Sequence, residues 1–80
     1  MTYVYILRSI KVPDQHYIGW TKDLRDRLAA HNSGKSTHTR KFLPWKIVFY
    51  AEFDSKERAV QFERYLKSGS GTVFRNRHLL

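Results

Sequence analysis

The chain contains no cysteine. That excludes a disulfide framework and a thiolate zinc site, so a protein of 80 residues must be held by packing alone, as suits a reducing, cytoplasmic setting. The chain is also short of acid, with 7 Asp and Glu against 15 Lys and Arg and a formal charge of +8. Such an excess points to an anionic partner. Nucleic acid is the first candidate, because cations that contact phosphates release condensed counterions and supply most of the sequence-independent affinity. Long apolar runs are missing too. The run from Tyr3 to Leu7 is too short for a signal-peptide core or a membrane span and has no basic flank before it. No long amphipathic basic helix suggests attachment to a membrane surface either. These absences describe a soluble, unprocessed protein with no membrane partner.

What is present is enough apolar material for a core. Hydrophobic residues make up 41% of the chain and aromatics 15%, which argues against disorder. Residues 1–80 have room for a single domain, and one this small buries only about 60% of its unfolded surface. Neither an internal repeat nor a linker is visible.

Tyr3–Leu7 is β-branched and aromatic throughout, which predicts a strand, followed by a connection containing Pro13 and Asp14. A second short strand runs from His16 to Trp20, making a hairpin with a longer loop. Thr21 is the expected N-cap of a helix over Lys22–His31, with leucines at 24 and 28 and Asn32-Ser33-Gly34 as its stop. Lys35–Lys41 is polar, basic and aperiodic, so an exposed loop is expected, closed by Pro44. Lys46–Phe53 predicts a third strand. Asp54 followed by Glu57 is a capping-box pattern, opening a helix to about Lys67 that ends at the punctuation of Gly69 and Gly71. Thr72–Leu80 forms either a short helix or a packed tail. The order is β-β-α-β-α.

On the second helix, Ala59, Phe62 and Leu66 share one face at about 100° per residue, and Glu63 falls inside that arc. A carboxylate there needs a cation, a metal or hydrogen-bond donors. From periodicity alone, an edge residue that reaches solvent or pairs with Lys67 one turn on is the simpler reading. On the first helix, Arg27 and His31 are spaced i, i+4, flank the Leu24 and Leu28 stripe, and are expected to point toward the sheet. A guanidinium beside a core can grip a phosphate, and a histidine one turn away can transfer a proton or donate to a phosphate. A basic residue favoured at a helix C-terminus accounts for His31 quite well and for Arg27 less well. Tyr5 and Tyr17 lie on opposite strands of the hairpin and can share one sheet face if the register allows, although strand tyrosines are commonly packing residues.

Two patterns lead nowhere. Gly34-Lys35-Ser36 resembles the end of a phosphate-binding P-loop, but Ala29 stands where the earlier glycine belongs and a helix precedes rather than follows. Histidines 16, 31, 38 and 78 lack the paired spacing of zinc proteases or fingers. The basic stretch Lys35, His38, Arg40 and Lys41 is read as a phosphate-contacting rim, with a merely solvated loop as the alternative.

Taken in order, Tyr3-Val4-Tyr5, Tyr17-Ile18-Gly19, Thr21–Leu28 with Arg27, His31, Thr39-Arg40-Lys41, Leu43–Lys46 and Ala59–Lys67 with Glu63 resemble the GIY-YIG nuclease family. The similarity is greatest to small stand-alone proteins like the amino-terminal nuclease domain of the excinuclease C subunit. It covers nearly the whole chain. Tyr3 departs from the glycine of the signature and Val4 from its isoleucine, while Tyr5 is retained.

The resemblance implies an α+β fold with a small three-stranded antiparallel sheet flanked by helices. It also implies a metal-dependent endonuclease acting on nucleic acid, DNA ahead of RNA, in DNA repair or recombination. Tyr5, Tyr17, Arg27, His31 and Glu63 would form the site. Glu63 would hold Mg²⁺ or Mn²⁺ together with waters and a substrate phosphate, because hard cations prefer oxygen. Arg27 would offset developing charge, and either Tyr5 or Tyr17 would orient or deprotonate the attacking water. Lys67 joins the basic rim as a phosphate contact. Asn76 is a weaker match to a family asparagine. A catalytically silent nucleic-acid-binding module, or a partner subunit of a repair complex, is the competing reading, and a protein partner is a candidate source of specificity.

Overall fold

In the computed structural model, which describes Met1–Leu80, the alternation of the hairpin residues sets the layers. Three strands, β1 (Thr2–Ser9), β2 (His16–Thr21) and β3 (Trp45–Phe53), form an antiparallel sheet in the order β2-β1-β3. Helix α1 (Leu24–Asn32) follows β2, while α2 (Lys56–Lys67) and α3 (Gly69–His78) follow β3. The fold is α+β, as expected.

β1 is central and covered on both faces, which explains its unbroken apolar run. Val4 and Ile6 face one way and join Ile18, Ala59 and Leu66 in a core lined by Phe62 and Phe74. Tyr5 and Leu7 face the other way and pack with Trp45, Tyr17, Leu24 and Leu28. The sheet therefore separates α2 and α3 from α1. Between β1 and β3 the register slips at Ile6/Leu7, a local bulge.

Several boundaries differ from expectation for local reasons. β1 and β2 extend further than their apolar runs, and Thr21 ends β2 instead of capping the helix. The N-cap of α1 is Asp23, whose side chain accepts from the Asp26 N–H at 3.0 Å. Thr21 Oγ1 accepts from the Asp23 N–H at 3.1 Å, bracing the cap. Likewise Ser55, not Asp54, caps α2, accepting from the Arg58 N–H at 3.3 Å.

Gly69 and Gly71, expected to end the second helix, lie in the first turn of α3, so the last residues form a helix rather than a packed tail. Ser68 joins the two helices: its hydroxyl donates to the Tyr65 carbonyl at 2.6 Å and accepts from the Gly71 N–H at 3.1 Å. A Cβ at Gly71 would collide with the Tyr65 carbonyl, so this corner needs a residue without a side chain. The loop after α1 is also more ordered than its composition predicts. It contains a 3₁₀ turn at Arg40–Phe42 and a fully buried threonine, Thr39.

Candidate active site

Strand register brings the two tyrosines together. Tyr17 lies opposite Leu7 and Gly19 opposite Tyr5, so both phenols project toward the α1 side of the sheet. The Tyr5 and Tyr17 rings are 6.3 Å apart. Gly19 makes room for them. A Cβ at that position would stand 2.7 Å from Tyr5 Oη and 3.1 Å from Tyr17 Cε2.

His31 closes the cluster from α1. Its ring lies 4.7 Å from the Tyr17 ring, and its Nε2 is 3.2 Å from Tyr5 Oη. Tyr5 and His31 are each only 2% exposed. On its far side His31 Nδ1 is 2.9 Å from Thr39 Oγ1, and the Thr39 carbonyl accepts the Trp45 indole N–H at 2.8 Å. Every buried side-chain polar atom has a partner.

Two charged residues act on this cluster from different helices. Burial raises the Tyr5 pKa well above its ordinary value; Tyr17 adds to the rise, Arg27 opposes it and Glu63 adds to it. Burial lowers the His31 pKa, and Arg27 lowers it further. The charges of Arg27 and Glu63 thus both act on the Tyr5 phenol, in opposite senses. The expected orientation of Arg27 needs correction, however. His31 is buried against the sheet, whereas Arg27 is exposed at the edge of the same helix.

Glu63 is half-buried, with its side chain 13% exposed, and pairs with the 52% exposed Lys67 at 2.7 Å. The simpler reading of its helical position is thus realised. No group of three or more His, Cys, Asp or Glu side chains gathers anywhere. A single half-buried carboxylate whose counterion is an exposed lysine suits a hard cation that keeps most of its waters, and does not suit a zinc-type ligand cage.

The remaining candidates lie further out. Lys35, His38, Arg40 and Lys41 are all exposed on the loop that Thr39 anchors. Asn76 is exposed on α3 and makes no side-chain hydrogen bond to the tyrosine cluster. Two surface hollows lie elsewhere, one apolar between Leu24 and Ile47–Tyr50, the other along α2 at Lys56, Glu57, Gln61 and Arg64. Neither includes Tyr5, Tyr17 or His31, so the chemistry-bearing groups locate the candidate site better than concavity does.

Sequence reasoning missed the supports. Thr39 looks like one polar residue in a basic loop, and Asn32 like part of a stop signal. Gly19 was visible within its motif, but its close approach to Tyr5 depends on the strand register.

Known proteins resemble this chain along most of its length. The profile of the family described as GIY-YIG catalytic domain matches residues 1–77. A UPF0213 protein of Streptococcus pneumoniae serotype 4 is 46% identical over 66 residues, which is 81% of this chain and 65% of that protein. A UPF0213 protein of Streptococcus pyogenes serotype M3 is 44% identical over 66 residues, covering 81% of this chain and 70% of its own length. The aligned part thus spans only 65% of the S. pneumoniae relative. A solution NMR structure of a UPF0213 protein from Bacillus halodurans covers 92% of this chain and 81% of that chain, at 35% identity and a TM-score of 0.53. With the family profile spanning almost the entire chain and a related structure sharing its sheet and helices, this protein belongs to the GIY-YIG catalytic-domain family, a nuclease family.

Proposed function

We propose that this chain is a divalent-cation-dependent endonuclease that hydrolyses phosphodiester bonds in DNA. The observation that carries the reading is the Tyr5 phenol, bonded to His31, beside Tyr17, and under the opposed charges of Arg27 and Glu63. The phenols and the imidazole come from β1, β2 and α1, and the charges that act on them come from α1 and α2. Phenols, imidazole, guanidinium and carboxylate are together suited to phosphoryl chemistry.

Each group has a role that its surroundings support. Tyr5 is buried and its phenol is held neutral, so it is a poor base at neutral pH and serves to fix the cluster. Tyr17 is half-buried and makes no side-chain hydrogen bond within the protein, which leaves its hydroxyl free to orient the attacking water. Arg27, exposed and always charged, binds a phosphate oxygen and offsets charge developing at phosphorus. Glu63 would hold the cation, Mg²⁺ or Mn²⁺, in place of its pairing with Lys67, and the chemistry supplied there would be polarisation of the scissile phosphate and charge neutralisation at the leaving oxygen.

Lys35, His38, Arg40, Lys41 and the displaced Lys67 contact backbone phosphates, and the +8 charge strengthens that attraction. Sequence or structure preference then comes from a protein partner or from a segment beyond the aligned region, in repair or recombination. A second reading, a binding module without turnover, is favoured by one observation: Lys67 already occupies the Glu63 carboxylate.

Cleavage of structured and single-stranded DNA with Mg²⁺ or Mn²⁺ separates the two, comparing wild type with Glu63→Ala and Arg27→Ala. The nuclease reading expects wild type to cut far faster than either variant. Equal nicking by all three preparations would mean a contaminating nuclease, and tight binding without cutting would establish the module.

A further inference from the structure

Thr39 lies within the basic loop between α1 and β3, yet it is 1% exposed. Its hydroxyl is 2.9 Å from His31 Nδ1, while His31 Nε2 faces Tyr5 Oη at 3.2 Å. Two buried hydroxyls therefore compete for one imidazole, and neither makes another side-chain hydrogen bond. His31 is neutral at neutral pH, because burial and Arg27 both disfavour its charged form. A neutral ring offers one N–H and one lone pair, so only one of the two hydroxyls can donate to it.

Acidity decides which. A phenol is a far stronger acid than an aliphatic hydroxyl and makes the stronger O–H donor, so Tyr5 takes the lone pair at Nε2. The ring proton must then sit on Nδ1 and point at Thr39. We propose that Thr39 is a positioning residue: by accepting the His31 Nδ1 proton it fixes the tautomer that turns Nε2 toward Tyr5. As a role in catalysis this rests on the hydrolytic reading given above; as a statement about the ring it does not.

The contact does more than orient a side chain. Thr39 sits between His38 and Arg40, and its carbonyl is tied to the Trp45 indole, so one buried residue sets both the imidazole and the base of the phosphate-contacting loop. A partner that holds a ring in one tautomer commonly matters as much as the ring's own reactive atom.

The test is ¹⁵N NMR of histidine-labelled protein at neutral pH, with Thr39→Val and Thr39→Ser. For wild type the expected His31 signature is a protonated Nδ1 and an unprotonated Nε2, retained in T39S. In T39V the Nδ1 proton has no acceptor and the signature reverses, with Nε2–H donating to Tyr5. A wild-type ring protonated on Nε2, or a T39V ring with the wild-type signature, would overturn the proposal. The wild-type spectrum decides the first point even if T39V does not fold.

In DNA cleavage, T39V should slow the single-turnover rate on the order of tenfold with DNA affinity unchanged, and T39S should restore it. An unchanged rate in a T39V protein with a reversed ring would overturn the catalytic role. If wild type cuts no DNA, the hydrolytic reading fails, and the nitrogen spectra still decide the claim about the ring.

Discussion

Asn32 grips the backbone of Trp45 on both sides, its Oδ1 accepting from the Trp45 N–H at 2.6 Å and its Nδ2 donating to the Trp45 carbonyl at 3.0 Å. This clamp joins the end of α1 to the start of β3, an edge strand that has only β1 as a neighbour. Asn32→Ala leaves both backbone groups without their partner. Urea denaturation should show a loss of about 1–3 kcal/mol, with Asn32→Asp intermediate because it keeps only the acceptor. Wild-type stability in N32A would mean that water replaces the clamp at no cost.

Gly19→Ala places a methyl 2.7 Å from Tyr5 Oη and 2.9 Å from Tyr5 Cζ, so the phenol must move. The far end of a tyrosine can shift, which limits the cost in stability to roughly 1–3 kcal/mol. Catalysis should suffer more, on the order of a hundredfold in cleavage rate, because a displacement of about 1 Å ruins alignment. A variant that loses stability but cuts at the wild-type rate would remove the tyrosine pair from the mechanism.

Much of the frame was legible in the residues themselves. β-branched and aromatic runs marked the three strands, and the period of Ala59, Phe62 and Leu66 marked α2. Helix starts were misplaced where two good caps stand close together, Thr21 beside Asp23 and Asp54 beside Ser55, because only backbone geometry chooses between them. The partners of the site were harder to read. Tyr5 meets His31 across 26 positions and His31 meets Thr39 across 8, so these contacts exist only once the sheet and α1 are assembled. Glu63 shows the limit of periodicity: the helical wheel suggests its pairing with Lys67 but not the influence of its charge on the Tyr5 phenol.

Stability should depend on pH in opposite senses at the two ends of the range. His31 and His16 both have pKa values below 6.5, His31 through burial and Arg27, His16 through burial, Arg8 and Arg75 with Asp14 opposing. Each binds a proton less readily when folded, so its contribution is whole above about pH 6.5 and is lost as pH falls. The Tyr5 pKa lies above 10.0, so its contribution is whole below about pH 10 and is lost as pH rises further. Thermal unfolding across this range should show a plateau between these limits. His31→Gln should soften the decline on the acid side; an unaltered slope would mean that His31 does not resist protonation.

On the proposed function, Lys67 competes with the cation for Glu63. Lys67→Ala frees the carboxylate, and Mn²⁺ should bind a few-fold more tightly, since a partly exposed pair contributes about 0–1 kcal/mol. Paramagnetic broadening of the His31 and Tyr17 resonances by Mn²⁺ reads this directly. Glu63→Ala should abolish the broadening. If it persists there, the cation binds elsewhere.

The central claim is that Arg27 on α1 and Glu63 on α2 serve one reaction centre at Tyr5, and a double-mutant cycle on single-turnover DNA cleavage tests it most directly. Residues acting as a unit lose their effect together, so Arg27→Ala combined with Glu63→Ala should be scarcely slower than the worse single variant. Losses that multiply, as expected of independent sites, would contradict it.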